Sequence, residues 1–235
     1  MKDLYNCTSD IWDKEWEDKF DHYQNDIRHA LYIAAILSDE DRRIIELGAG
    51  SFRDVRTLNK MGIDCYGLDF SIESVTKARE LNPEISSKIL QADCFDLQIP
   101  SKSYDLSYHN GLWGYFNDNE ISKLLKEQVR ITKRKVIVTV HNQHNKNFVD
   151  YFNQLKVNDP LYDIRFFEVD EIRELMLKEV SSCEIIPVGK GKKLYEDDLI
   201  NIGIGTPCNI RKSFDFHKMG LLDISERLMC VGYLR

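Results

Sequence analysis

The sequence predicts an α/β protein built on a doubly wound, mostly parallel β-sheet, with helices at its N-terminus. Short apolar runs of strand length alternate with amphipathic stretches from residue 42 onward, which is typical of parallel strands joined by helices. The chain has 235 residues, 43% of them hydrophobic, which suits one sizeable domain with its own core. A glycine turn follows the first strand and leads into a helix. We therefore expect a single domain over residues 1–235.

The N-terminal segment, residues 1–38, is expected to be helical. Trp12, Trp16 and Phe20 recur at four-residue spacing and form one apolar stripe within a helix that we place over residues 11–37. Such a stripe favours a helix that packs on the rest of the domain.

Seven strands and five main helices are expected after this segment. The apolar and β-branched runs predict strands at residues 43–47, 64–68, 87–91, 104–108, 135–140, 183–188 and 228–234. The amphipathic stretches predict helices at residues 52–61, 71–81, 118–131, 145–155 and 170–179, with Ser71, Asp118 and Asp170 as caps. Residues 190–216 break the alternation and are expected to form an inserted loop before the last strand.

The composition indicates which classes of partner the chain is suited to bind. The formal net charge is −7 and the pI is about 5.4, with no concentrated face of Lys and Arg, which disfavours a nucleic-acid partner. The basic cluster at residues 133–135 is expected at the C-terminus of a helix, where cations meet the negative end of the helix dipole. The sequence gives no indication of the oligomeric state.

The sequence also disfavours a membrane protein and an oxidising compartment. The first ten residues are polar and charged, unlike a signal peptide, and the apolar run at residues 30–37 is too short to span a bilayer. The six cysteines include no C-x-x-C pair, which argues against a zinc ribbon or a redox motif. We therefore expect a cytoplasmic protein.

The turn after the first strand carries the strongest functional signal. Glu46, Gly48 and Gly50 surround the turn, and Asp69 ends the next strand nineteen residues after Gly50. The glycines let the backbone approach a ligand, and a carboxylate at that distance can accept two hydrogen bonds from a ribose diol. This pattern predicts a nucleoside-binding βαβ unit. The alternative for Asp69 is a cap on the helix that starts near Ser71.

The details of the turn resemble one nucleoside-binding family. Dinucleotide sites place a third small residue where this chain has Arg53. Instead, E-x-G-x-G at residues 46–50 resembles motif I of the class I S-adenosylmethionine (SAM) dependent methyltransferases. Phe52 replaces the last glycine of that motif, so its side chain must point away from the ligand. The resemblance implies a Rossmann-like sheet of strand order 3-2-1-4-5-7-6 with strand 7 antiparallel, SAM as cofactor, and residues 1–38 as a lid over the ligand.

The resemblance also assigns cofactor-binding residues. The loop after strand 3 looks like the segment that contacts adenine in this family, which points to Asp93 and Cys94. Glu46 would help to fix the turn and the methionine end of SAM, and Phe70 would cover the adenine. Asp93 could instead be a solvated loop carboxylate, and Phe70 a core residue. Arg53 could pair with the cofactor carboxylate or simply lie exposed on its helix.

Polar residues that follow strands 4 and 5 are candidates for the acceptor side. His109 and His141 follow the two apolar strands, and a neutral imidazole can take a proton from a hydroxyl or an amine. We therefore predict these two histidines as catalytic bases; the alternative is that they are structural hydrogen-bonding groups. Together with His144 they could also bind a divalent ion, but metal-dependent O-methyltransferases use carboxylate-rich sites, so no metal is predicted.

These observations predict a SAM-dependent methyltransferase that acts on a small polar metabolite. The candidate bases favour O-methylation over N-methylation, and a sugar or another surface-glycan building block is one candidate acceptor. No Asn-Pro-Pro-Tyr sequence follows strand 4, which argues against the amino-methylating DNA and glutamine enzymes. Two alternatives remain open. One is an NAD(P)-dependent reductase on the same sheet, and the other is a protein of this fold that binds a ligand without turnover.

Overall fold

The computed structural model describes residues 9–159, 162–189, 211 and 221–235 and contains a seven-stranded sheet. The strand order is β3-β2-β1-β4-β5-β7-β6. The strands are β1 Arg43–Leu47, β2 Asp64–Asp69, β3 Ile89–Gln91, β4 Tyr104–Asn110, β5 Thr132–His141, β6 Ser182–Val188 and β7 Arg227–Tyr233. The predicted α/β class and strand order are therefore confirmed.

Seven α-helices accompany the sheet in the described part of the chain. They are α1 Ser9–Lys19, α2 Arg28–Ile36, α3 Arg53–Lys60, α4 Ile72–Leu81, α5 Asp118–Ile131, α6 Lys146–Leu155 and α7 Val169–Met176. Short 3-10 turns span His22–Asn25, Pro83–Lys88, Leu112–Tyr115 and Leu222–Ile224. None of the described helices is long and apolar enough to cross a bilayer.

The first five strands are parallel to one another, whereas β7 runs antiparallel to both of its neighbours. Alternate side chains of each strand point to opposite faces, so the sheet separates two hydrophobic clusters. Ile44 belongs to the cluster with α2 and α3, and the adjacent Ile45 belongs to the cluster with α5 and α7. Since the parallel strands all end at the same edge, their terminal polar residues meet there.

The predicted helix over residues 11–37 is wrong as one element, because the chain turns between α1 and α2. Asp21, Asn25 and Asp26 occur at the turn, and such short polar side chains compete with helical hydrogen bonds. Asp26 accepts from the backbone N–H of Arg28 (3.1 Å). The turn leaves α2 buried on one face of the sheet and directs α1 across α4, where the Ser71 hydroxyl donates to Asp13 (2.5 Å).

Three local expectations also need correction. Asn117 and Glu168, rather than Asp118 and Asp170, are the N-cap residues of α5 and α7, and each forms a reciprocal capping box with a glutamate three residues later. The basic cluster at 133–135 lies in β5 and not at a helix end, because β5 starts directly after α5. Its Lys135 pairs with Asp41 (2.5 Å).

The remaining strand ends agree within two or three residues of the expected bounds. The 3-10 turn Pro83–Lys88 occupies the first part of the predicted third strand, so β3 has three residues. The predicted inserted loop at 190–216 lies outside the described residues, apart from Arg211.

Candidate functional site

A cavity of about 410 Å³ opens at the edge where the parallel strands end. Residues at the ends of β1, β2, β4 and β5 line it, together with the turn after β3 and the start of β7. Trp12 and Trp16 of α1 line the opposite wall, and the Trp12 ring meets Tyr115 edge to face with centroids 4.9 Å apart. The cavity thus lies where open α/β sheets bind their ligands.

The glycine turn forms the floor of one end of the cavity. Gly48 and Gly50 have φ angles of 63° and 52°, in the left-handed region that favours glycine. The N–H of Gly50 donates to a carboxylate oxygen of Asp69 (2.8 Å). A Cβ atom at Gly50 would collide with the Trp16 indole, so backbone and α1 approach each other closely.

Phe52 replaces a glycine without entering the cavity. Its φ is also left-handed, at 53°, which is unusual for a bulky residue. The side chain is fully buried and packs against Gly67 of β2, where a Cβ atom would lie 2.9 Å from the Phe52 ring. The expectation that this ring points away from the ligand space agrees with its placement.

Asp69 lies at the end of β2 and holds the turn rather than a helix. Its two oxygens accept from the backbone N–H groups of Gly50 and Ser71, and the side chain lines the cavity. The cap of α4 is Ser71, whose hydroxyl accepts from Ser74, so the capping alternative for Asp69 does not describe this structure. Burial raises the pKa of Asp69.

Glu46 lies beside a second carboxylate that the sequence did not single out. Burial, together with the nearby charge of Asp54, raises the pKa of Glu46 well above its usual range. The Tyr108 hydroxyl donates to Glu46 (3.4 Å), and His29 contacts Asp54 (2.5 Å). Both carboxylates line the cavity, so this end can receive a cationic group.

The residues predicted around the adenine converge on the same end. Phe70, Asp93 and Cys94 all line the cavity beside the glycine turn. Asp93 accepts from the backbone N–H of Phe95 (2.9 Å), which closes the turn after β3. Burial raises the pKa of the Cys94 thiol to about 12, so it is a neutral wall of the cavity.

His141, the last residue of β5, lines the other end of the cavity. Its ring stacks on Phe148 with centroids 6.1 Å apart and meets Phe152 and Phe166 edge to face. Burial lowers its pKa well below the usual range, so the ring is neutral at neutral pH. Its Nδ1 atom is buried and has no hydrogen-bond partner among the described residues. The imidazole is therefore unprotonated and has a free nitrogen facing the cavity, while burial and the charge of Arg227 reduce its basicity.

His109 does not face the cavity, contrary to the expectation from the strand-end pattern. It is the penultimate residue of β4, so its side chain points to the face opposite that of its neighbours and lies against Trp113, 5.6 Å between ring centroids. The described residues provide no partner for either ring nitrogen, and burial lowers its pKa to about 3.

His144 is also placed away from the cavity lining, and its Nε2 accepts from the Val169 N–H (3.5 Å). No group of three or more His, Cys, Asp or Glu residues in the described ranges is arranged to hold a metal ion. His109, His141 and His144 therefore do not converge on one site.

Arg53 and Arg227 bring two positive charges to the cavity wall. Arg53 donates to the backbone carbonyl of Tyr23 (3.1 Å) and lies 3.5 Å from Asp54, so it is not simply exposed on its helix. A contact with the cofactor carboxylate stays a prediction. Arg227, which the sequence did not single out, opens β7 directly opposite His141. In the sequence, Arg227 is recognisable as a charged residue before an apolar run. The sequence does not reveal which strand lies beside that run.

The comparisons with known proteins agree with this geometry. Residues 45–140 match the family model described as a methyltransferase domain, which spans β1 to β5. A phosphoethanolamine N-methyltransferase 1 of Zea mays is 32% identical over 104 residues. That match covers 43% of this chain and 21% of the maize protein, so the matched part spans about a fifth of this relative.

Solved structures share the fold across nearly the whole chain. A SAM-dependent methyltransferase from Thermotoga maritima superposes with a TM-score of 0.63 at 17% identity, covering 97% of this chain and all of that one. Magnesium protoporphyrin IX methyltransferase from Synechocystis PCC 6803, solved with S-adenosylhomocysteine (SAH), gives 0.62 at 11% identity, covering 97% and 98%. Residues 45–140 therefore match a methyltransferase domain, and the chain as a whole has the fold of solved SAM-dependent methyltransferases.

Proposed function

We propose that the protein transfers the methyl group of SAM to a small polar metabolite bound in the same cavity. The proposal rests on one observation. The turn at Gly48 and Gly50, the buried Asp69 and His141 at the end of β5 all line the same cavity. One end suits a nucleoside and the other presents a neutral imidazole.

The residues present fit the cofactor. In this proposal Asp69 accepts hydrogen bonds from the ribose, Asp93 and Cys94 bind the adenine edge, and Phe70 covers its face. Gly48 and Gly50 allow close backbone approach, and the paired carboxylates beside Glu46 receive the ammonium group of the methionine end. SAM, when bound, supplies an activated methyl group on a sulfonium.

The residues of the chain then position the methyl acceptor and accept the proton that it loses. His141 takes the proton from a hydroxyl at its buried imidazole, and the aromatic wall keeps water out of the cavity. Holding two reactants in line accounts for much of the rate. This proposal favours O-methylation, and a sugar or another surface-glycan building block is a candidate acceptor.

N-methylation of a small amine is the second candidate, and one observation favours it. The maize relative, which is 32% identical over 104 residues, is named for phosphoethanolamine N-methylation. An amine attacks in its neutral form and needs less help from a base. In that case His141 would position the amine.

Calorimetry followed by a product assay tests the proposal. SAM and SAH should bind to the full chain, and NADH should not. Release of SAH in the presence of hydroxyl or amine acceptors would then separate the two candidates. Tight NADH binding without SAM binding would support a reductase, and SAM binding without SAH release from any acceptor would support a protein without turnover.

The proposal also retains a small-molecule acceptor rather than nucleic acid, and a cytoplasmic location. The overall negative charge supports the first, and the unpaired thiols of the described cysteines support a reducing compartment.

A further inference from the structure

Arg227 has an unused hydrogen-bonding group at the end of the cavity lined by His141, where the proposed function places the methyl acceptor; we call this the acceptor end, and the end at Gly50 and Asp69 the cofactor end. The side chain lines the cavity, and its Nη1 atom is buried with no acceptor among the residues that the structure describes. The backbone of Arg227 pairs with His141 on one side and with Val188 on the other. The arginine side chain thus starts from the first residue of β7, directly beside the histidine on β5.

The surrounding chain fixes the position of this arginine. The side-chain amide of Asn142 donates to the carbonyls of Leu222 (2.8 Å) and Ser225 (2.7 Å), which anchors the approach to β7. A Cβ atom at Gly111 would lie 3.2 Å from Nη1 and 3.5 Å from the His141 ring. The absent side chain at Gly111 therefore leaves room beside both groups.

The two arginines of the cavity, Arg53 and Arg227, differ in the partners of their guanidinium groups. Arg53 already donates to Tyr23 and lies beside Asp54, near the glycine turn. Burial lowers the pKa of Arg227 to about 10, so it still carries its charge at neutral pH. A buried cation without a full set of partners is costly, and a ligand oxyanion would supply the missing acceptors.

We propose that Arg227 binds an anionic group, a carboxylate or a phosphate, on the methyl acceptor. This inference rests on the proposed function, because it names the acceptor class for the same cavity. A guanidinium suits either oxyanion because its N–H groups can meet two oxygens at once. The bound anion then lies beside His141, which sets the distance between the anionic group and the atom that is methylated.

Titration of the SAH-saturated full chain with inorganic phosphate and with acetate, at constant ionic strength, tests this inference. The wild-type complex should bind at least one of the two. Arg227→Met should weaken that binding about 10- to 100-fold, the loss expected for hydrogen bonds to a charged group, with SAH affinity unchanged. Arg173→Met removes an equal charge from an exposed helix position and should leave anion binding intact.

Three results would overturn the inference. They are failure of both anions to bind the wild-type complex, equal binding by Arg227→Met, and a loss of SAH affinity in Arg227→Met, which would assign Arg227 to the cofactor carboxylate. Should the Met variant not fold, Arg227→Lys and Arg227→Gln carry the same test, since Lys keeps the charge and should bind more tightly than Gln. If the wild type does not bind SAH, the proposed function fails, and titration of the free protein still tests the anion site.

Discussion

The two ends of the cavity differ in how their polar groups are satisfied. At the cofactor end, both oxygens of Asp69 accept backbone hydrogen bonds, and Glu46 accepts from Tyr108. At the acceptor end, His141 and Arg227 each have a buried nitrogen with no partner within the described ranges. At the first end the protein itself satisfies Asp69 and Glu46, while the buried Oδ1 of Asp54 has no hydrogen-bond partner in the described part of the chain. At the second end both side chains keep a nitrogen for a ligand.

The two ends also differ in how far apart their residues lie in the sequence. Glu46, Gly50 and Asp69 belong to a single βαβ unit, so local turn chemistry determines their geometry. His141 and Arg227 meet only because β7 inserts antiparallel beside β5. Local sequence patterns therefore indicate the first end, whereas the second end depends on how strands far apart in the sequence pair with each other.

The largest effect is expected from His141→Ala, compared with His109→Ala. If His141 is the base, its loss should lower turnover by roughly 10²–10⁴-fold with little change in SAH affinity. His109 lies outside the cavity lining, so its replacement should leave turnover nearly unchanged once folding is confirmed by circular dichroism. Single-turnover rates with the true acceptor measure the difference.

The pH profile provides an independent check on His141. Burial depresses its pKa, so the proton-accepting neutral form is already complete at neutral pH. The rate should therefore be flat near neutrality and fall only in acid, as the imidazole gains a proton. His141→Gln should not restore the rate, because an amide cannot accept that proton. Full activity in His141→Ala would point to N-methylation or to positioning alone.

Replacement of Asp69 is expected to have the next largest effect, and it tests the cofactor end. Asp69→Ala should weaken SAH binding about 10²–10³-fold, because the variant loses charge-assisted hydrogen bonds to the ribose and the contact that fixes Gly50. Asp93→Ala should cost less, since a peripheral turn residue binds only one edge of the base. Calorimetry measures both, and an unchanged affinity in Asp69→Ala would leave this residue a role in the turn alone.

The sequence was sufficient for the cofactor end because its signals are local. The glycine turn, the spacing from Gly50 to Asp69 and the strand after each helix determined the fold class and the floor of the cavity. Strand order came from the family resemblance and not from the residues. Phe52 shows why a motif departure need not abolish a site, since its ring packs under Gly67 instead of entering the cavity.

The acceptor end could not be predicted in the same way. His109 and His141 look equivalent in the sequence, since both follow an apolar strand. Side chains alternate between the two faces of the sheet, and His109 pairs with Val138, three residues before His141. The two histidines therefore point to opposite faces, which only the register between β4 and β5 reveals. The partner of Arg227 depends on an antiparallel pairing across a long sequence separation, which no local pattern encodes.

A comparison of Gly50 and Gly62, which both have left-handed φ angles, isolates a smaller effect: the contribution of the Gly50–Trp16 contact to SAH binding. Gly62→Ala should destabilise the fold by about 1–2 kcal/mol, because it forces a side chain into that region, and Gly50→Ala should destabilise the fold more, because it adds the collision with Trp16. A Cβ atom at Gly62 meets nothing within 4 Å, whereas one at Gly50 strikes Trp16. Gly50→Ala alone should therefore weaken SAH binding, by about tenfold. Equal SAH affinities in the two variants would show that the contact with α1 is irrelevant to the ligand.

The smallest effect expected is a proton released at Glu46 when the cofactor binds. Burial and the nearby Asp54 raise the pKa of Glu46 in the free protein, and a cationic ammonium beside it would lower that pKa again. Binding then removes a proton, so SAH affinity should rise with pH between the two pKa values, by less than about tenfold per pH unit for one group. Calorimetry in two buffers of different ionisation enthalpy should give different heats for the wild type and equal heats for Glu46→Gln. Equal heats in the wild type would mean that the ammonium does not bind beside Glu46. Acetate, which does not titrate near pH 7, should show no such linkage when it binds at the acceptor end, because Arg227 remains charged there.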